Sequence, residues 1–378
     1  GNQNYTIITA PIAATGTNYD NIDPANVLVV SQDTDTAGFT IIPVAGLTTS
    51  ESGASATFTV QLTSQPTANV QVTLTSDNTS EGQIGRTSGS CDNSSGLSTA
   101  SCALTFTSAN WNTAQTVRIT GIDDASTDGN IVYHVVTGPA TSSDSNFNGV
   151  DPADITLTNS DNDTPGITVS PTAGLTTTEA GGVATFTVKL NTAPTANVTL
   201  TLSSSNEAEG RIRRGTNCDN AGTAGTGSCT LVFTPASWNS AQTVGVVGQN
   251  DFVADGSISY SVFFSTPSSS SDTNYNGLTP ASVALSNSDN DMAGVTVSAI
   301  SGNTTESGTT ATFTVVLTSQ PLSPVDTYYS SSNTGEGQIK QSLGLCATAG
   351  TAAATACKLS FTSANWSTPQ TVTVQGIN

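Results

Sequence analysis

Acidic residues are scarce in this chain, yet they return at fixed intervals. Residues 156–168 read TLTNSDNDTPGIT and 284–296 read ALSNSDNDMAGVT, so one acid run closes a β-like stretch twice (284 − 156 = 128). A looser copy, VSQDTDTAGFT, occupies 30–40. The exit acids are Asp161 and Asp163, Asp289 and Asp291, and Asp33 and Asp35. Glu51, Glu179 and Glu306 recur in LTTSESG, LTTTEAG and NTTESGT, and the turn GIDDASTDG adds Asp123, Asp124 and Asp128. Its counterpart offers Asn250, Asp251 and Asp255. Calcium takes six to eight oxygen ligands and tolerates irregular geometry. Carboxylates crowded at one end of a domain repel one another unless a cation neutralises them. The expectation is therefore a Ca2+ site from Glu51, Asp123, Asp124, Asp128, Asp161 and Asp163. A second uses Glu179, Asn250, Asp251, Asp255, Asp289 and Asp291. Glu306, and Asp33 with Asp35, are parts of two further sets whose other members are missing. Asp and Asn are also ordinary turn residues, but turn preference explains neither a Glu at a strand start nor three acidic places per copy.

Other chemistry is poorly supplied. His134 is the only histidine. It reads as a solvent-facing strand residue, no Ser/His/Asp set recurs, and no enzyme is expected. The 28 acidic residues against 8 Lys and Arg leave a net charge of −20, which repels nucleic acid and anionic membrane. The short basic cluster Arg211, Arg213 and Arg214 reads as a local surface feature. No apolar run is long enough to cross a bilayer and no signal peptide is present, so no membrane insertion is expected and the chain reads as a mature or internal segment. A carbohydrate-binding or other ligand-binding accessory module is the alternative. It calls for exposed aromatics in a groove, and aromatics are 6% of residues. Thr rows such as TVTVQ read as strand surface rather than an ice-binding face. Sequons at Asn78, Asn197 and Asn365 arise readily by chance in a Ser/Thr-rich chain.

The elements that position the acids follow from self-similarity. Trp111, Trp238 and Trp366 stand in SANWNTAQTV, ASWNSAQTV and SANWSTPQTV, and Tyr5, Tyr133 and Tyr260 obey the same spacing. Thr and Val alternate through ATFTVQLTS, NVQVTLTS and QTVRITG, the period-2 pattern of half-buried strands. One copy holds about seven: FTIIPV, SATFTVQLT, ANVQVTLTS, CALTFT, AQTVRITGI, NIVYHVV and ADITLTNS. The expected fold is all-β, tandem immunoglobulin-like antiparallel sandwiches in an elongated rod, with each Trp closing one end of a core. Residues 1–35 read as the last two strands of a preceding repeat, 36–163 and 164–291 as complete repeats, and 292–378 as a third lacking its last two strands. Either this is a window on a longer array, or one chain's tail is completed by the next chain's head through strand addition.

Cys91 and Cys102, Cys218 and Cys229, and Cys346 and Cys357 each lie eleven positions apart. Repeat symmetry and shared loops select the local pair in each copy. Three disulfides imply an oxidising compartment, and zinc lacks the ligands it needs.

The early glutamate, the FTSANWNTAQTV and FTPASWNSAQTV runs, the DDxxxD turn of 123–128 and the terminal DND together resemble the Calx-beta family. These are sandwich modules of sodium–calcium exchanger regulatory domains and of long bacterial surface proteins. The resemblance covers essentially the whole chain and implies that the acidic positions are calcium ligands. It departs at the Cys-stapled excursions and at NDFVAD, where Asn250 lowers the charge but keeps an oxygen. The implied role is structural: a bacterial extracellular or cell-surface fibre or adhesin stalk stiffened by calcium. Its partners would be further repeats of a longer chain or copies of itself, head to tail.

Overall fold

The computed structural model describes residues 1–86, 91–92, 98–213, 218–219, 225–267, 272–353 and 356–378. Two compact units emerge, Gly1–Asp163 and Thr164–Asn378. The fold is all-β, with no helix among the described residues.

In the first unit, β1 (Gln3–Ile7) and β2 (Val27–Ser31) form a two-stranded antiparallel sheet. A sandwich follows from β3 (Phe39–Ile42), β4 (Leu47–Ser50), β5 (Ser55–Leu62), β6 (Val70–Ser76), β7 (Gly82–Gly85), β8 (Ser98–Thr99), β9 (Ser101–Phe106), β10 (Gln115–Gly121), β11 (Ile131–Thr137), β12 (Thr141–Ser142) and β13 (Ile155–Ser160). One sheet runs β3-β5-β10-β7-β8 and the other β12-β6-β11-β13-β4, with β9 also on β6. Alternation does the work that the sequence implied. Along β5, Ala56, Phe58, Val60 and Leu62 point into the core while Ser55 and Thr57 face out, because successive side chains leave a strand on opposite faces. Phe106, Ile119, Val135 and Leu157 meet them, and each buried large side chain contributes roughly 1.5–3 kcal/mol.

All seven expected strands form. The sequence reading omitted β4, β7 and the two-residue β8 and β12. The pairing of β4 with β13 is parallel, Leu47↔Leu157 through Ser50↔Ser160, so the second strand of the sandwich and its last lie side by side.

The second unit repeats the plan. Strands Ile167–Ser170, Val183–Leu190, Gln242–Gly248 and Gly210–Ile212 make one sheet. Leu175–Thr178, Val283–Ser288, Ile258–Phe264, Val198–Ser204 and Ser228–Phe233 make the other. Residues 292–378 instead form one continuous sheet that ends at Val325–Tyr329. Trp111, Trp238 and Trp366 each pack against a core. Their carbonyls accept from Leu62, Leu190 and Leu317 N–H. Within the second unit, the Phe252 ring lies 5.8 Å from Trp366.

The local cysteine pairs are disulfides, with Cα separations of 5.8, 5.8 and 5.0 Å. His134 lies on the outer face of β11, and both its N–H and ring contact Asp77. Arg211 donates to the Glu207 carbonyl and Arg213 pairs with Asp219. Arg214 lies outside the described residues.

Candidate metal centre

The first sandwich gathers its acids from four loops at one end. The N–H of Glu51 donates to the Ser160 carbonyl at 3.1 Å, extending the β4–β13 ladder by one residue. The chain then turns at Gly53, whose φ of +86° is a left-handed conformation that favours glycine. Glu51 is thereby held inside, and Asn162 N–H donates to its Oε2 at 2.9 Å. On the exit segment, Asp161 Oδ1 accepts from Asp163 N–H at 2.7 Å, and its Oδ2 from Gly129 N–H at 2.8 Å. These bonds curl the SDND run so that carboxylate oxygens of Glu51, Asp161 and Asp163 come within 4.8 Å of one another.

Beside them, oxygens of Glu81, Asp124 and Asp128 form a second such group. Asp124 is fixed by the Ser126 N–H at 2.6 Å. Asp123 enters neither group, although its Oδ1 accepts from Asn162 Nδ2 at 3.1 Å. Glu81 is buried and is held from behind by a polar chain. Asn159 Nδ2 donates to Glu81 Oε2 and to the Ile122 carbonyl, both at 3.1 Å. Thr49 Oγ1 donates to Asn159 Oδ1 at 2.9 Å and lies 3.0 Å from the Tyr133 hydroxyl. Tyr133 needs a neighbour without a side chain, since a Cβ on Gly82 would fall 2.2 Å from its hydroxyl.

The second sandwich forms two counterpart groups, Glu179, Asp251 and Asp291, and Glu209, Asp251 and Asp255; Asp251 stands in both, and the expected ligand Asp289, the counterpart of Asp161, enters neither. Asn287, Thr177 and Tyr260 repeat the supporting chain. Asn290 N–H binds Glu179 Oε2 at 3.0 Å, and Asp289 accepts from Gly256 and Asp291 N–H. Asn250 stands beside the groups, its Oδ1 accepting from Asn290 Nδ2 at 3.2 Å. Glu306 is exposed and joins none of the four groups. Nor do Asp33 and Asp35, where the Asp35 N–H donates to Asp33 Oδ1 at 3.0 Å.

Electrostatics records the crowding. Burial raises the Glu51 carboxyl from its ordinary 4.5 to about 7, and repulsion from Asp161, Asp124 and Asp163 adds to the effect against the Asn162 N–H. Burial, then like charge, also raises Asp163, Asp128, Glu179 and Asp291. Glu209 is raised by burial and the acids around it, against the Asn287 hydrogen bond. Among the described residues, Asp163 Oδ2 and Asp291 Oδ2 are buried side-chain oxygens with no hydrogen-bond partner. An unpaired buried carboxylate oxygen is costly. An all-oxygen set in which neutral donors do not reach every inward oxygen fits a hard divalent cation, and no His or Cys joins any of the groups.

Sequence reasoning passed over Glu81, Glu209 and the Asn159 and Asn287 supports. A signal existed: EGQI, EGRI and EGQI recur at 81, 209 and 336, the same periodicity that singled out Glu51.

No family model and no curated protein matches the chain. Among solved structures, CBD12 from CALX1.2 is similar at 16% identity and a TM-score of 0.26, covering 65% of this chain and 98% of that one. The calcium binding domain CBD12 of CALX1.1 gives 16% identity and 0.26, over 61% and 80%. Fibronectin(III)-like modules of Clostridium thermocellum CbhA give 11% and 0.17, over 65% and 92%. The tandem sandwich described above rests on the sheets themselves.

Proposed function

We propose that this chain is a calcium-binding, load-bearing segment of an extracellular fibre or adhesin stalk, built of Calx-beta-like sandwiches. The observation that carries the reading is the unpartnered, buried Oδ2 of Asp163 amid Glu51 and Asp161, repeated at Asp291. A cation beside such an oxygen would offset both its missing hydrogen bond and the repulsion of its neighbours. Glu51, Asp161 and Asp163 would hold one ion, and Glu81, Asp124 and Asp128 a second. The ion supplies charge neutralisation and no reaction chemistry. The Thr49–Asn159–Glu81 chain keeps the ligands in place. The exit acids stand directly before residue 164, so an ion that ties them to Glu51 would pin the exit segment to the first sandwich. Three disulfides support an oxidising, extracellular setting. Surface placement in a bacterium is part of the same reading.

Isothermal titration of the full chain with calcium, followed by magnesium, tests this. Saturable calcium binding is expected, and Asp163→Asn with Asp291→Asn should remove the ions held through those two residues and leave those of the Glu81 and Glu209 groups, with magnesium much weaker because it demands near-octahedral geometry. Heats indistinguishable from dilution would refute it.

A further inference from the structure

The hairpin β1–β2 carries a face that the rest of the molecule teaches us to recognise. Its register, Tyr5↔Val29 within Gln3↔Ser31 to Ile7↔Val27, is that of Tyr133↔Leu157 and Tyr260↔Leu285. The connecting loop has the same conformation too. Ile12 N–H bonds the Ile22 carbonyl and Asn21 N–H the Ile12 carbonyl, as Ala140 does with Val150 and Gly149 with Ala140. Asn21 takes a φ of +62° where Gly149 and Gly277 stand at +83°. Thr9 binds Asn26 and Pro24 as Thr137 binds Asp154 and Pro152. Residues 1–35 thus hold the shape of 129–163 without the core that 129–163 fill. Tyr5 is 52% exposed where Tyr133 is 1%, and Tyr19 is 67% exposed where Phe147 is 1%.

The matching seat lies in residues 292–378. Strand Val325–Tyr329 bonds Cys357–Phe361 along one edge, and its other edge has no partner among the described residues. The equivalent edge of β6 pairs with β11 and β12. A Cβ on Gly337 would meet only the Gln375 carbonyl at 3.7 Å and Val374 at 3.8 Å, whereas at Gly82 and Gly210 it would meet a Tyr hydroxyl at 2.2 and 2.3 Å. A cleft of about 400 Å³ is lined by Val295, Leu317 and Val325 together with Val253 and Ala254, and Val295 pairs with Leu317 as Phe39, 6.5 Å from Phe147, pairs with Leu62.

We propose that residues 1–35 of one copy dock onto the open face of residues 292–378 of a second copy. β1 adds to the free edge of Val325–Tyr329, Tyr5 enters the space over Gly337, and Tyr19 fills the cleft beside Val295. The molecule's own pattern selects this occupant, because segments of the same pattern fill the seats of the two complete sandwiches and residues 1–35 are the copy whose Tyr5 and Tyr19 stand exposed. The contact is heterologous, so repetition yields open chains rather than closed dimers. Packing alone carries it, and it stands or falls apart from any cation.

Sedimentation velocity of the full chain, in calcium and again in chelator, tests it. The expected result is a ladder of oligomers that lengthens with concentration in at least one of the two. Tyr5→Ala spoils the donor face of an exposed residue, and Gly337→Ala spoils the acceptor seat at a site with room for a methyl. Each alone should weaken self-association at least tenfold. Mixed, they should form a dimer and nothing longer, since only one donor and one acceptor remain intact. Monomers in both buffers up to roughly 100 µM, well above a micromolar Kd, would overturn the proposal. So would undiminished ladders from either variant.

Discussion

Glu51 offers the sharpest test of the acidic groups, because charge and packing predict opposite signs for one substitution. Glu51→Gln keeps the shape and an oxygen that accepts from Asn162 N–H, and it removes the charge. In chelator the carboxyl has its pKa raised from 4.5 to about 7. A raised folded-state value means its stabilising share is complete below pH 4.5 and is lost as pH climbs through 7. Above that point the ionised group costs the fold roughly 3 kcal/mol as an upper figure, taking 1.36 kcal/mol per tenfold change. The residue is buried (4% exposed), so solvent screening takes little from this. At pH 8 in chelator, Glu51→Gln should therefore stabilise the first sandwich by about 2–3 kcal/mol, and at pH 4 it should change almost nothing. In calcium at pH 8 the order inverts, because wild type gains the ion and the variant does not. Hydrogen exchange at β11 and β13 amides reads this sandwich separately from the others, and protection should move by up to about a hundredfold. A variant equally destabilised in chelator at pH 4 and pH 8 would show that neither burial of the Glu51 charge nor repulsion from its neighbours costs the fold anything.

Three further outcomes follow from the supports. Asn159→Leu strands Glu81 Oε2 and the Ile122 carbonyl, and should lower the first sandwich's stability by about 2–3 kcal/mol and weaken calcium binding in titration calorimetry. Gly82→Ala places a methyl against the Tyr133 hydroxyl and should cost about 1–3 kcal/mol in chemical denaturation, while Gly337→Ala in the same assay should be near neutral. Replacing Cys91 and Cys102 together by Ser should cost the first sandwich about 2–3 kcal/mol in chemical denaturation, as a short closed loop implies.

What was legible depended on how local the signal was. Alternation along β5, β6 and β10 could be read directly, because burial of one face imposes period two on contiguous residues. The disulfides were legible because each pair closes a short loop within one repeat. β4 escaped notice: LTTS is too short to alternate, and its place is set by parallel pairing to a strand 110 residues later, Thr49↔Asn159. Glu81 was missed for a similar reason. Its partner Asn159 is 78 residues away, and its own stretch, NTSEGQ, reads as an ordinary turn. The acids at 51, 161 and 163 were easier, since they flank strands whose ends could be counted.

The parallel union of β4 and β13 bears on how such a sandwich meets tension. Once tension has drawn β3 from its pairing with β5, pulling on the segments before β4 and after β13 drags the leading end of one strand against the trailing end of the other. The rungs between Leu47–Ser50 and Leu157–Ser160 then lie across the pull and are loaded together, rather than parting one after another like a zip. Extra links at the lower rim, from Glu51 to Ser160 and Asn162, lengthen that shear patch at the point where the load leaves the sandwich.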